Sequence, residues 1–308
     1  MTNRVPFGSW PSPISAADVA ASSVRLSQPR YFADKLFWLE TRPDENARRV
    51  IVIHTAGETQ DLLPAPYSAH SRAHEYGGGD YVSDGKRVWF ANDDDQAIYV
   101  LESDTVERLT EPGGRRYADL LLDAERDRLI AVSEDHTEPG EAKTTLVTIG
   151  LRDGSIGTLA EGADFYSSPA LSPDGRHLAW LSWNHPNLPW DETRLFLASI
   201  TSDGSLGEGE KICQDGESVF QPEFDSNGTL HFVSDRDEWW NIYRRESGTT
   251  KQITRDAGEF GRPQWVFGMR SYSFCGDRIA ATRTENGRWN LSIVTDHGVQ
   301  DIGLPFTV

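Results

Sequence analysis

The sequence predicts an all-β fold, a β-propeller with six recognisable four-stranded blades, and three observations carry that expectation. A turn signal followed at once by an alternating apolar run recurs along the chain, most clearly in Leu171-Ser-Pro-Asp-Gly-Arg-His-Leu-Ala-Trp-Leu181. Equivalent anchors Leu36, Val88, Leu129, Leu178, Leu230 and Ile279 are spaced at roughly 41 to 52 residues, the interval of one propeller blade. Between them, hairpin dipeptides such as Asp84-Gly85, Asp153-Gly154, Asp174-Gly175, Asp203-Gly204 and Asn227-Gly228 alternate with runs rich in Val, Ile, Leu, Trp and Phe, and no long amphipathic helix intervenes.

Taken in chain order, residues 1–28 stand apart as a leader. Pro6, Pro11 and Pro13 enforce an extended path, and Ser15-Ala-Ala-Asp-Val-Ala-Ala21 reads as a short helix with Ser15 as its N-cap. The propeller is expected over 29–308. Its repeated phrase is read at Phe32-Ala-Asp-Lys-Leu-Phe-Trp-Leu39 in the first blade and Val82-Ser-Asp-Gly-Lys-Arg-Val-Trp-Phe90 in the second. The third carries it at Leu122-Asp-Ala-Glu-Arg-Asp-Arg-Leu-Ile130, the fifth at Phe224-Asp-Ser-Asn-Gly-Thr-Leu-His-Phe232 and the sixth at Cys275-Gly-Asp-Arg-Ile-Ala280. A second signature, Ile98-Tyr-Val-Leu101, Leu195-Phe-Leu-Ala-Ser-Ile200 or Asn241-Ile-Tyr-Arg244, marks third strands. The sixth blade ends in Trp289-Asn-Leu-Ser-Ile-Val294 and Val299-Gln-Asp-Ile302 without an evident closing strand. Because an open edge invites aggregation, either early strands close a six-bladed ring or the sequence is part of something longer.

Composition narrows the function classes. Hydrophobic residues make up 37% of the chain, and no apolar run approaches the roughly 18 residues of a membrane-spanning helix, so no membrane partner is expected. The first residues lack the apolar core of a signal peptide, which favours the cytoplasm. Cys213 and Cys275 have no motif spacing, so neither a disulfide framework nor a zinc site is indicated and no cofactor is expected. A net charge of −18 argues against nucleic acid, which is bound by clustered Lys and Arg. Acidic loops near the channel would attract a cationic group such as a peptide amino terminus, although solubility is the commoner role of such charge.

Four further segments point to a family. His74-Glu-Tyr-Gly-Gly-Gly-Asp-Tyr81, Trp183-Asn-His-Pro-Asn-Leu-Pro-Trp-Asp191, Ser234-Asp-Arg-Asp-Glu-Trp-Trp-Asn-Ile-Tyr243 and Glu259-Phe-Gly-Arg-Pro-Gln-Trp-Val-Phe-Gly268 resemble, in that order, the N-terminal propeller of the prolyl oligopeptidase family of serine peptidases. The likeness is to its acylaminoacyl-peptidase and dipeptidyl-aminopeptidase-like branch. The resemblance implies a leader packed on a catalytic domain, a seven-bladed, TolB-like propeller, and a following α/β-hydrolase domain bearing Ser, Asp and His. Six repeats are present, so the ring is expected to be an incomplete seven-bladed one.

A hydrolase domain would bring G-x-S-x-G on a strand-to-helix turn. The nearest string, Gly154-Ser-Ile-Gly157, is a hairpin turn. No residue is therefore assigned to catalysis and the chain by itself is expected to be inactive. Its expected role is to gate and help bind peptide substrate for a hydrolase domain in cis, with an unclosed blade edge offering a route to a homo-oligomer. The alternatives are a stand-alone TolB-like propeller that binds a protein or peptide, and a propeller hydrolase with a metal in its channel.

Five residues are candidates for substrate binding. Glu75 and Tyr76 sit in a loop whose glycines permit positive φ and close backbone approach, and a carboxylate there suits a substrate ammonium, although the same glycines serve a plain blade crossing. Trp190 lies in a proline-stiffened loop suited to stacking. Trp240, beside Trp239 at a strand start, either fills a blade interface or faces the channel. Glu259 is a second anchor for a cation, or else caps a backbone turn. His70 and His74 are four apart, but metal binding would need a helix that the adjoining glycines oppose.

Overall fold

Strand formation follows the turn signals. The computed structural model describes residues 23–295 and 297–305, with 6, 8–10 and 12–15 of the leader. The helix expected after Ser15 lies outside the described residues. Six four-stranded antiparallel sheets follow one another along the chain as propeller blades. Blade 1 comprises β1 (Arg25–Phe32), β2 (Lys35–Arg42), β3 (Arg48–Thr55) and β4 (Glu58–Asp61). Blade 2 has β5 (Tyr81–Ser83), β6 (Arg87–Ala91), β7 (Ile98–Glu102) and β8 (Thr105–Arg108). In blade 3 these are β9 (Arg115–Asp123), β10 (Arg128–Asp135), β11 (Lys143–Gly150) and β12 (Ile156–Ala160), and in blade 4 β13 (Phe165–Leu171), β14 (His177–Trp183), β15 (Arg194–Ser199) and β16 (Glu210–Lys211). Blade 5 is β17 (Val219–Phe224), β18 (Leu230–Asp237), β19 (Trp239–Glu246) and β20 (Thr249–Gln252), and blade 6 is β21 (Tyr272–Cys275), β22 (Arg278–Glu285), β23 (Arg288–Thr295) and β24 (Gly298–Ile302). All six anchors fall in the first two residues of a second strand. No helix among the described residues is long and apolar enough to cross a membrane.

The propeller starts earlier than the expected boundary at residue 29, because β1 begins at Arg25. Its alternation is hidden by a bulge between Ser27 and Arg30, with Gln28 at φ 50°. This irregularity is systematic. Gln28, Gly79, Asp119, Ser168 and Gln221, at φ 50°, 59°, 49°, 53° and 49°, place one left-handed residue in or just before the innermost strand of blades 1 to 5. Gly268, at φ 68°, stands ahead of blade 6.

Side chains at these kinks reach into the next blade. Gln28 bonds Asp80 through both its amide atoms, accepting from the Asp80 N–H at 3.1 Å. Asp119 Oδ2 accepts from Ser168 N at 2.7 Å. Gln221 Oε1 accepts from Ser271 N at 2.6 Å while its Nε2 donates to the Tyr272 carbonyl at 2.7 Å. Between blades 2 and 3 the latch is backbone alone, Leu120 N to Gly79 O at 3.2 Å.

Five apolar clusters fill the seams between consecutive blades. Phe37 and Leu39 meet Phe90 between blades 1 and 2; Trp89 meets Leu129 and Val147 between 2 and 3; Ile130 and Leu146 meet Leu178 and Trp180 between 3 and 4. Leu181 meets Phe232 between 4 and 5, and Val233 meets Ile279 and Val294 between 5 and 6. Each fully buried Leu, Ile, Val or Phe in such a cluster contributes about 1.5–3 kcal/mol relative to exposure.

None of the five clusters joins blade 6 to blade 1. The register of β22 with β23 puts Ala280 opposite Ile293 and Thr282 opposite Leu291 on the face turned away from blade 5, and all four are only half-buried. Leu36 of blade 1 is 37% exposed. Beside β1 lies a cavity of about 960 Å³ bounded by the 262–270 segment and lined, among the described residues, by Arg25, Arg30, Arg49, Arg262 and Arg270 and by no carboxylate. Arg49 approaches Asp80 at 3.6 Å and Arg270 pairs with Glu223 at 2.6 Å.

Topology sorts the connections onto two faces. Strands alternate in direction, so the links from each outer strand to the next inner strand share a face with the hairpins between second and third strands. That face gathers 62–80, 184–193, 238 and 253–271. The opposite face carries the short turns of the Asp-Gly type.

Candidate functional site: two adjoining cavities on the loop face

The 62–80 loop is built by its glycines. His74, Glu75, Gly77, Gly78 and Gly79 all have positive φ. A Cβ on Gly77 would lie 1.9 Å from the Ser71 carbonyl oxygen, and one on Gly78 2.2 Å from that of Phe267, so neither position admits a side chain. The space is used for a clip: Phe267 N donates to Gly77 O at 2.8 Å, and Gly78 bridges Phe267 in parallel. Asp80 ends the loop fully buried, accepting from Ser71 N at 2.7 Å. The 253–271 segment is thereby held against His74 and Tyr76.

The 184–193 loop closes over them. Asp191 Oδ2 accepts from Leu188 N at 2.9 Å, and Asp164 Oδ2 from His185 N at 2.9 Å, which fix the chain on either side of Pro186 and Pro189. Trp190 then packs on Trp265 with ring centroids 4.6 Å apart.

Two cavities share Trp190. The first, about 220 Å³, is walled by aromatic rings and carries no acidic or basic side chain other than His74 and His185. Phe165 stacks on Trp183 at 5.4 Å, His74 stands edge-on to both, and Phe267 lies 4.7 Å from the His74 ring. Burial pushes the His74 imidazole below its ordinary value, so it is neutral at pH 7.

The second cavity, about 400 Å³, sets Trp190, Trp240 and Trp289 beside three carboxylates, Asp235, Glu238 and Glu259, and one guanidinium, Arg262. Glu259 Oε2 accepts from Trp240 N at 2.9 Å, and Asp235 Oδ1 from Ser218 N at 2.7 Å. Burial raises the Asp235 carboxyl above the usual range. Trp240 stacks on Phe220 at 6.4 Å, and Gly261 leaves room for its ring. Carboxylates between indole faces form surroundings suited to an ammonium group.

Of the residues singled out from the sequence, Trp190, Trp240 and Glu259 line the second cavity, and Tyr76 and Trp190 line the first. Tyr76 is 63% exposed and edge-on to Trp265 at 6.3 Å. Glu75 lines neither cavity. Its carboxylate accepts from Arg116 at 2.7 Å, and that guanidinium holds it below the usual range. Trp183, Gln264, Trp265 and Phe267 stand in the family-like segments without a sequence signal for this site, the spacing of His70 and His74 raises only the question of a metal, and Phe165 has no local signal at all.

The channel itself is narrow, about 240 Å³, and is lined by residues from or next to the inner strands, among them Arg30, Asp119, Gln221 and Arg270. Arg30 donates to Gly268 O at 3.2 Å, and burial together with the like charge of Arg270 lowers it to about 10.

No family model matches the chain. A puromycin-hydrolysing peptidase of Mycobacterium tuberculosis is 35% identical with a TM-score of 0.89, over 98% of this chain and 50% of that one. A puromycin hydrolase is 30% identical with a TM-score of 0.89 over the same shares. Dipeptidyl-peptidase 5 of Schizosaccharomyces pombe is 29% identical over 111 residues, 35% of this chain and 16% of that protein. The chain matches the propeller portion of prolyl oligopeptidase-family peptidases. This propeller spans about half the length of the solved peptidases it matches.

Proposed function

We propose that this propeller covers the active site of an α/β-hydrolase domain carried by the same polypeptide, gates entry of peptides, and holds a substrate amino terminus in the acidic cavity. The observation that carries the reading is the convergence of Trp190, Trp240 and Glu259 with Asp235 and Glu238 at one opening of the loop face. Glu259 spends one oxygen on a backbone amide; its other oxygen is the one offered to an ammonium. The uncovered faces of blades 1 and 6 and the cavity beside β1 support a further blade between them, completing a ring of seven. A stand-alone binding propeller would need those two blades sealed to each other, and no apolar cluster among the described residues does so.

The test uses a polypeptide that includes the hydrolase domain, assayed on free-amino and N-acetylated chromogenic peptides. Glu259→Gln keeps an oxygen for the Trp240 amide and removes the charge. Loss of a charge-assisted hydrogen bond costs about 1.5–3 kcal/mol, so KM for free-amino peptides is expected to rise roughly tenfold or more. The acetylated substrate should be unaffected. Equal effects on both substrates would sink the ammonium assignment, and a polypeptide with no serine-dependent cleavage would sink the peptidase reading itself.

A further inference from the structure

We propose that the aromatic cavity is a subsite for one neutral aromatic side chain of the substrate, held by stacking and by a hydrogen bond at the edge of its ring. That the ring belongs to a substrate rests on the peptidase reading above. Its size points to a single side chain: at about 220 Å³ it falls below the several hundred Å³ of pockets that take whole small-molecule ligands.

Its chemistry selects the kind of side chain. Among the described residues no Asp, Glu, Lys or Arg lines it, and burial disfavours the charged form of His74, so a charged group would enter without a counter-charge. Phe165, Trp183 and Phe267 crowd the His74 ring at 4.7 to 6.0 Å and present both faces and edges, the surfaces against which a further ring packs best.

Two polar atoms in this wall are buried and have no partner, His74 Nε2 and Gln264 Oε1. Buried polar atoms in native proteins are almost always bonded. Neither atom has accessible surface in this structure; a turn of the Gln264 amide toward the cavity would let an entering phenol hydroxyl or indole N–H donate to its oxygen. An aliphatic side chain would leave both atoms unpaired. The subsite therefore favours tyrosine and tryptophan over leucine.

Saturation-transfer NMR titrations of this chain with N-acetyltyrosinamide, N-acetyltryptophanamide and N-acetylleucinamide test this without any hydrolysis. The aromatic amides are expected to bind roughly fivefold or more tighter than the leucine compound. Gln264→Leu should remove about fivefold of the tyrosinamide affinity, the worth of one neutral hydrogen bond. Equal binding of leucinamide, or unchanged binding by a folded Gln264→Leu protein, overturns the proposal. So does loss of binding in the polypeptide that carries the hydrolase domain, because the cavity would then be filled by a ring of the protein itself. Aromatic binding as expected, with no peptidase activity in that longer polypeptide, would leave the subsite standing and overturn only the reaction.

Discussion

His231 lies in blade 5 with 5% exposure, its ring 4.9 Å from Phe274 and its Nδ1 3.0 Å from the Thr229 carbonyl. Burial lowers its pKa, outweighing the opposing hydrogen bond to Thr229 and the charges of Asp225 and Glu223, while Arg244 acts with burial. His74 is depressed in the same way against a weaker pull from Glu134. Between each depressed value and the ordinary histidine value near 6.5, the unfolded chain binds more protons than the folded one. Stability therefore rises with pH through that window, and the loss on acidification is complete once the pH has passed below the depressed value. Melting temperatures taken from pH 7.5 to 5.5 should decline, and more gently in His231→Phe than in the parent; equal slopes would contradict this. Depressed carboxylates such as Glu45 and Asp61 weaken the fold only at lower pH. The sequence placed His74 in a glycine-rich loop but could not reveal its environment, because Phe165, Trp183 and Phe267 reach it from other blades.

Blade anchors are readable at the scale of the element because the pairing of second and third strands is unbroken in five blades, as where β10 pairs with β11 from Arg128 opposite Gly150 to Asp135 opposite Lys143, and shifts only between Ser234 and Asp237 in blade 5. Inner strands are not, since a left-handed residue resets the period partway along. Leader and propeller were consequently divided at 29 although β1 starts at Arg25. Gln221 shows what these kinks secure. It is 4% exposed and serves the Ser271 amide, the Tyr272 amide and the Tyr272 carbonyl at the seam between blades 5 and 6. Gln221→Ala strands those groups and is expected to cost about 2–4 kcal/mol. Urea denaturation measures it. A loss under about 0.5 kcal/mol, the range of an ordinary surface substitution, would mean that apolar packing alone holds the seam.

At the scale of the molecule, apolar clusters among the described residues fill five seams and leave the sixth pair of faces uncovered. A blade of about 50 residues set between blade 6 and blade 1 would cover Ala280, Leu291 and Ile293 and the exposed side of Leu36. A polypeptide extended through such a blade is expected to melt above the 1–308 chain, and one that melts at or below it would contradict the seven-bladed reading. Repeat spacing made the six blades visible from sequence alone; the pairing of acidic and aromatic cavities around Trp190 was not, because it joins loops more than a hundred residues apart.

The arginine-lined opening beside β1 belongs to a body of net charge −18. This separation of sign gives the molecule a polarity that its pI conceals. Most of the surface repels an acidic segment, whereas the slot draws one in and turns it so that its carboxylates lead. Whatever enters the open seam is thus sorted by charge before a single side chain packs, over a distance set by the Debye length of about 8 Å at physiological salt.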